Sequence, residues 1–398
     1  MHFKSRDLTR LYKQGHFWHL FILSYQGAIS GACICQDEVD TFTVHLFLPL
    51  GTDTSTTLSS EDAVATALGG DGGQYPIKID EILVRSTYRP HIAVARKYCS
   101  PKGRVYLAGD SAHQNIPTGG YGMNMGIGDA YDLGWKLAAT VKGYAGPGLL
   151  RSYDQERRPI ALMCVERSGS HLAVHMGLGQ LLADRVPLVE QDTEEARELR
   201  KRVHEYYQER DGENKDIGIE MGQRYNSEVL QEPASPPPPF NPRVYTPSTY
   251  PGMRAPHVFL EKDGKSIFDQ LGSGYTLVEF ATPQGHVSKL QGGLLIEAAS
   301  KRSVPVKHLV FENEYRAARA WEFLLVLVRP DFHVAWRGHT ISSLEEAGEI
   351  IDVAIGKGPA RPEFSVELND VPTRFSSAVQ TNTQRGKFEF EGIGDMQK

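Results

Sequence analysis

The sequence predicts a mixed α/β (α+β) chain in which an antiparallel sheet, a strand–turn–helix unit and a small alternating α/β block follow one another. Three observations carry this. Residues 16–50 hold short runs rich in aromatic and β-branched residues, separated by Gly27 and by an acidic turn around Asp37–Asp40. Arg104–Gly143 reads as a short apolar strand, an abrupt Gly-Asp turn, a glycine-rich loop and a long helix. Beyond a proline-dense stretch, about Met253–Lys357 alternates strand-like and helix-like segments.

Taken in order, Phe17–Ser24, Ala28–Ile34 and Thr41–Leu48 suit antiparallel strands, Leu58–Leu68 a helix, and Ile79–Tyr88 a further strand. Val105–Ala108 suits a buried strand, and Gly109–Asp110 ends it with a carboxylate that can accept a hydroxyl hydrogen bond. In the following loop Pro117, Gly119, Gly120 and Gly122 strip side chains from a backbone that must approach something flat or anionic, leaving its amides to donate. Beyond Asn124 the pattern is helical. Ala130, Leu133, Leu137, Ala138 and Val141 are its expected apolar face, and Gly143 is its stop. The loop thus feeds a helix N-terminus, which favours negative charge, and Asp129 and Asp132 early with Lys136 and Lys142 late agree with that polarity.

Leu149–Ser170 reads as a helix carrying YDQERRP, in which Glu156, Arg157 and Arg158 are expected as an ion-paired surface turn ended by Pro159. Glu190–Glu209 is a charged helix with a solvated face. Pro233–Pro251 is an extended linker, an SH3-type ligand being its other reading. In the last block, the strand Leu324–Arg329 leads into RPDFHVAWRG, whose His333 and Trp336 are read as core or interface residues. The stretch after Pro359 is polar and expected to be poorly ordered.

A length of 398 residues allows two or three domains. The net charge of −6 and the lack of a long basic run argue against a nucleic-acid partner. Cys33, Cys35, Cys99 and Cys164 form neither a disulfide framework nor a CxxC pair, so a reducing, cytoplasmic setting and no metal site are expected. The most apolar early stretch, His16–Cys35, carries His19, Gln26 and two glycines, and neither a signal peptide nor a membrane span is read there.

The ordered run GDSAHQNIPTGGYGMNMGIGDAYDLGWKLA, Gly109 to Ala138, resembles the second flavin motif of FAD-dependent aromatic hydroxylases, the single-component flavoprotein monooxygenases related to p-hydroxybenzoate and phenol hydroxylases. YDQERRP is shared with that family, and the block from GMRAPHVFL to RPDFHVAWRG is similar to the C-terminal thioredoxin-like domain of its phenol hydroxylase branch. The resemblance implies a substrate-domain sheet over residues 1–98, the C-terminal part of a Rossmann-like FAD-binding domain over 99–232, a linker at 233–251, a thioredoxin-like domain at 252–358 and a tail at 359–398. It implies Asp110 for the ribityl hydroxyls of FAD, and Pro117, Gly120, Gly122, Met123 and Asn124 for the isoalloxazine ring. It further implies NAD(P)H as co-substrate and NAD(P)H-driven hydroxylation, epoxidation or Baeyer–Villiger oxidation of an aromatic or polyketide-type small molecule, in secondary metabolism. No catalytic base is assigned. Tyr88, Arg96 and His113 lie near the motif, and His113 is read as a packing or loop-fixing residue rather than a proton shuttle.

Members of that family begin with a GxGxxG βαβ unit and an acidic ribose-binding residue, and neither is visible here; LGGDGG at Leu68–Gly73 has the wrong spacing. An incomplete gene model, a split enzyme completed by another chain and a degenerate remnant all stay open, as does a homodimer. Two alternatives stand beside the monooxygenase. One is a non-catalytic or partner-dependent remnant. The other is an esterase, because GDS at Gly109–Ser111 is similar to the nucleophile block of GDS-type esterases, with Ser111 attacking and Asp110 and His113 as the sole Asp-x-x-His pair.

Overall fold

The computed structural model describes residues 1–9, 15–24, 29–48, 58–87, 92–210, 213, 215–232, 235–281 and 289–359. Tyr88, the tail beyond 359 and part of the proline-rich segment (233–234) lie outside them. In chain order the elements are β1 (His2–Lys4), β2 (His19–Leu23), β3 (Ile29–Cys35), β4 (Thr41–Leu46), α1 (Ser60–Gly69), β5 (Glu81–Val84), β6 (Ala93–Val94), β7 (His113–Gln114), α2 (Tyr121–Val141) and α3 (Pro147–Leu182). Then come α4 (Val186–Val189), α5 (Glu194–Arg210), α6 (Ile217–Met221), α7 (Ile267–Gln270), β8 (Tyr275–Phe280), α8 (Lys289–Lys301), β9 (Val306–Phe311), α9 (Tyr315–Trp321), β10 (Leu325–Val328), β11 (Val334–Gly338) and α10 (Leu344–Ala354).

Two compact units divide the chain. The first comprises Met1–His91 and Arg167–Glu213. Its sheet runs β2-β3-β4-β1-β5 with every pairing antiparallel. Alternation sets its faces: Phe42 and Val44 of β4 point inward with Phe3 and Cys33, beside Val64 and Ala67 of α1. The β3–β4 turn closes because Asp37 Oδ1 accepts the amides of Val39, Asp40 and Thr41, which hold that carboxyl well below its usual range. Ser59 caps α1 by accepting from the Asp62 amide at 2.9 Å. Leu178 and Leu182 bury themselves with Leu199 of α5, whose other positions are mostly exposed.

The second unit begins with Ile92–Glu166 and resumes at Asn214. Its four-stranded sheet runs β11-β10-β8-β9, with β8 and β9 parallel across the α8 crossover. All six residues of β8 are buried, as a strand covered on both faces demands. Tyr275, Leu277, Leu325 and Leu327 face Leu295, Ile350 and Ile351 of α8 and α10. Val278, Phe280, Val326 and Val328 face Ile267 and Trp321 on the other side.

Three local expectations fail. Residues 105–108 form only an isolated bridge, Cys99 to Tyr106, and Val105 is 61% exposed. Pro159 lies inside α3 and ends no surface turn. Most consequentially, α2 is turned over: Asp129, Asp132 and Lys136 are buried, while Ala130, Leu137, Ala138 and Val141 are exposed. Its punctuation is as expected, since Val141 is the last helical residue and Gly143 follows at φ 80°.

Trp321 is the best place to test the C-terminal core. It is fully buried, donates Nε1 to the Pro256 carbonyl at 3.0 Å and meets Phe280 edge-on. Trp321→Ala is expected to lower unfolding free energy by about 3–5 kcal/mol in a denaturant titration; a loss below about 1 kcal/mol would contradict this packing.

Candidate functional site

The second unit carries the Gly-Asp turn. Ala108 is extended, Gly109 adopts φ 58°, and Gly109–Ser111 makes one 3₁₀ turn. Ser111 closes it, its Oγ donating to the Ala108 carbonyl and accepting the Ala108 amide. Asp110 therefore projects to solvent, with only its carbonyl engaged, weakly, by Gln114. Downstream, β7 pairs with β6 and anchors the chain before it rises into the glycine loop. There the Gly120 amide donates to the Pro117 carbonyl, and Gly120 itself sits at φ 65°, ψ 22°, a left-handed conformation that favours glycine. A Cβ on Gly120 would enter open space, so the loop presents bare backbone there.

Tyr121 then starts α2, a 21-residue helix whose N-cap position is Gly120, a residue with no side chain to cap it. Its dipole favours negative charge at that end. Asn124 Nδ2 donates to the Gly120 carbonyl at 2.9 Å, and Met123 is 75% exposed. The sequence-derived residues Asp110, Pro117, Gly120, Met123 and Asn124 are all exposed, with Gly122 half-buried. They form an acceptor carboxylate, a bare loop and a set of amide donors, which is a donor–acceptor set suited to a polyol chain and to the anionic edge of a flat ring.

Behind this surface lies a buried polar layer. Asp129 Oδ2 accepts the Gly109 amide at 3.1 Å and lies 2.9 Å from His113 Nε2, while its Oδ1 accepts from Arg157 Nε at 2.8 Å. Because a carboxylate only accepts, the Nε2 nitrogen of His113 is the one carrying the proton. Burial acts to raise the Asp129 carboxyl, yet His113 and Arg157 hold it below its usual range. Arg157 further donates to the Met125 carbonyl and to Tyr225 Oη. His113 is thus turned away from Ser111, whose hydroxyl is spent on Ala108; the nucleophile pairing needed by an esterase is not made.

A second cluster joins the same helix to α3 and to the strand-end phrase RPD. Asp132, Glu156 and Asp331 place carboxylate oxygens within 4.8 Å of one another, a spacing that could hold a metal ion. Here the cations are the chain's own. Lys136 Nζ donates to Asp132 at 2.8 Å and Glu156 at 2.6 Å, and Arg329 donates to Asp132, to both oxygens of Glu156 and to Asp331. These five side chains are 0–6% exposed. Burial, with Glu156 alongside, pushes Asp132 upward to about 7. Against the same burial, Arg329 and Lys136 hold Glu156 down to about 2. Glu156 and Arg157 are therefore core residues, not a surface turn, and Arg158 is 3% exposed.

Sequence reading found the outward residues of the site and missed Asp129, Arg157 and Tyr225 as its support. The available signal was a helix face with Asp129, Asp132 and Lys136 at i, i+3 and i+7, flanked by Gly126 and Gly128. Among the described residues, no helix is long and apolar enough to cross a membrane.

The chain is similar to known proteins over most of its length. A family profile described as an FAD binding domain matches residues 1–168, and one described as aromatic-ring hydroxylase, C-terminal, matches residues 248–356. The FAD-dependent monooxygenase apdD of Emericella nidulans is 48% identical over 364 residues, 89% of this chain and 58% of the relative. The FAD-dependent monooxygenase opdD of Penicillium oxalicum is 45% identical over 360 residues, 89% of this chain and 68% of the relative. Among solved structures, the rebeccamycin biosynthetic enzyme RebC with reduced flavin is similar at TM-score 0.71 and 32% identity, over 89% of this chain and 62% of that one.

The buried cluster gives a signed pH dependence. Glu156 is depressed from 4.5, so its contribution to stability is present above that value and is lost as pH falls from 4.5 through about 2. Asp132 is raised from 3.8, so its contribution runs the other way and is lost as pH rises through about 7. Glu156→Gln is expected to flatten the acid limb of a melting-temperature profile and Asp132→Asn the limb around neutrality. Arg329→Met is expected to cost about 3–5 kcal/mol, because three carboxylates then share one buried cation. Unchanged melting in that variant would contradict the network.

Proposed function

The chain belongs to the FAD-dependent aromatic-ring hydroxylase family, and from that premise we propose that it works as an FAD-dependent monooxygenase on an aromatic or polyketide-type small molecule of secondary metabolism, with NAD(P)H as co-substrate. The observation that carries the reading is the exposed Asp110 turn set beside the Gly119–Gly120 loop and the N-terminus of α2. When bound, the flavin supplies the redox chemistry: NAD(P)H gives two electrons, one atom of dioxygen enters the substrate and the other leaves as water.

The chain's own residues contribute binding and electrostatics. Asp110 accepts hydroxyl hydrogen bonds from the ribityl chain. Pro117, Gly120, Gly122, Met123 and Asn124 lie along the ring, where the absence of side chains at the glycines permits close approach. The helix N-terminus favours negative charge on the neighbouring ring edge. The residues matching the aromatic-ring hydroxylase C-terminal profile form the thioredoxin-like domain. A second polypeptide, either a homodimer mate or a complementing chain, has an apolar surface available to it on α2, where Ile127 and Val141 are exposed. Light scattering on the purified chain distinguishes a homodimer from a monomer awaiting a partner.

FAD titration followed by visible absorbance tests the reading. The full chain is expected to bind, and Asp110→Ala is expected to weaken binding roughly ten- to a hundredfold, the equivalent of losing about 1.5–3 kcal/mol of charged hydrogen bonding. A chain that stays colourless in FAD and consumes no NAD(P)H, or an Asp110→Ala variant that binds as tightly as wild type, would overturn it.

A further inference from the structure

We infer that His113, Asp129 and Arg157 are positioning residues that lock the Asp110 turn and the N-terminus of α2 into one rigid body; the inference rests on the flavin reading of that surface. The two elements must hold opposite ends of one ligand fragment, a carboxylate on one side and helix amides on the other. Their separation is therefore the quantity that matters, because misplacement of a binding group sharply weakens the contact it makes.

Asp129 sets that separation. Its carboxylate, 1% exposed, tethers the Gly109 amide, one residue before Asp110. Arg157 joins the same carboxylate to the carbonyl of Met125 in the first turns of α2. Both partners belong to α2, so the guanidinium braces the carboxylate that ties the turn to the helix, and Tyr225 Oη takes its remaining fork nitrogen. The helix is cut away to admit this pair: a Cβ on Gly128 would lie 2.6 Å from Arg157 Nη2, and one on Gly126 would lie 3.4 Å from the Gly109 Cα.

His113 is the most telling member. It is 2% exposed, its Nε2 serves Asp129, and its Nδ1 is buried with no hydrogen-bond partner among the described residues. A buried polar atom left unmatched disfavours histidine as a packing residue. The single bond to Asp129, which aims the carboxylate at Gly109, accounts for its presence.

The test uses the full chain and three substitutions. His113→Phe keeps the ring and removes the donor. His113→Gln returns an N–H near the position of Nε2, and His113→Asn returns one only near Nδ1. Hydrogen exchange of the peptide spanning residues 104–116 is measured without FAD, and FAD affinity is measured by flavin fluorescence. His113→Phe is expected to speed exchange in that peptide and to weaken FAD at least tenfold, with His113→Gln restoring both. If His113→Phe does not fold, His113→Asn is expected to show the same two losses relative to His113→Gln. Exchange and affinity at wild-type levels in His113→Phe, or equal losses in the Gln and Asn variants, would overturn the positioning role. Should wild type bind no FAD, the flavin reading falls, and the exchange measurement alone decides whether the triad holds the turn.

Discussion

Arg329 is the group on which the second unit turns. Fully buried at the end of a sheet strand, it meets Asp132 of α2, Glu156 of α3 and Asp331 of its own segment. Dehydrating a guanidinium is costly, and only several short, well-aligned carboxylate contacts can offset it. Those carboxylates come from positions up to 197 residues from Arg329 in sequence, so the guanidinium is satisfied only when two helices and the strand end have reached their places. A charge cluster of this kind contributes less to net stability than to uniqueness of geometry, because a shifted helix would strand a buried charge rather than merely loosen a contact.

That geometry reaches the surface through α2. The helix presents its charged positions inward, Asp132 and Lys136 to the Arg329 cluster and Asp129 to Arg157 and the Gly109 amide. Tyr225 connects the two groups, accepting from Arg157 while its ring lies 4.0 Å from that of His333 and beneath the Arg329 guanidinium. The exposed turn and loop thus stand on a continuous polar layer that ends in the C-terminal block. A site held this way can leave its outer surface bare and polar, as binding of a flat, partly anionic ligand requires.

Much of this was legible in the sequence, and the illegible part has a physical cause. Glycines and prolines announce backbone geometry locally, so the Gly109–Asp110 turn, the Gly119–Gly120 loop and the end of α2 before Gly143 could be read directly. The aromatic and β-branched run Thr41–Leu48 was likewise readable as a strand, and Thr41–Leu46 forms one. The orientation of α2 could not be read by hydropathy, since charged residues are almost never fully buried unless paired and their partners here lie far along the chain. The same blindness turned YDQERRP into a surface turn, when Glu156, Arg157 and Arg158 are each at most 3% exposed. Of the site, the residues facing outward were legible through their motif. Those holding them from behind, Asp129, Arg157 and Tyr225, become visible only when the fold brings them together.

The central claim is that the Asp110 turn and the start of α2 form one side of a flavin site. A crystal structure of the full chain grown with FAD tests it most directly. The account predicts the ribityl hydroxyls within hydrogen-bonding distance of the Asp110 carboxylate and the ring along Pro117–Asn124, with the Asp129–Arg157 pair unmoved behind them. Flavin bound elsewhere, or contacting this surface with Asp110 turned away, would contradict it.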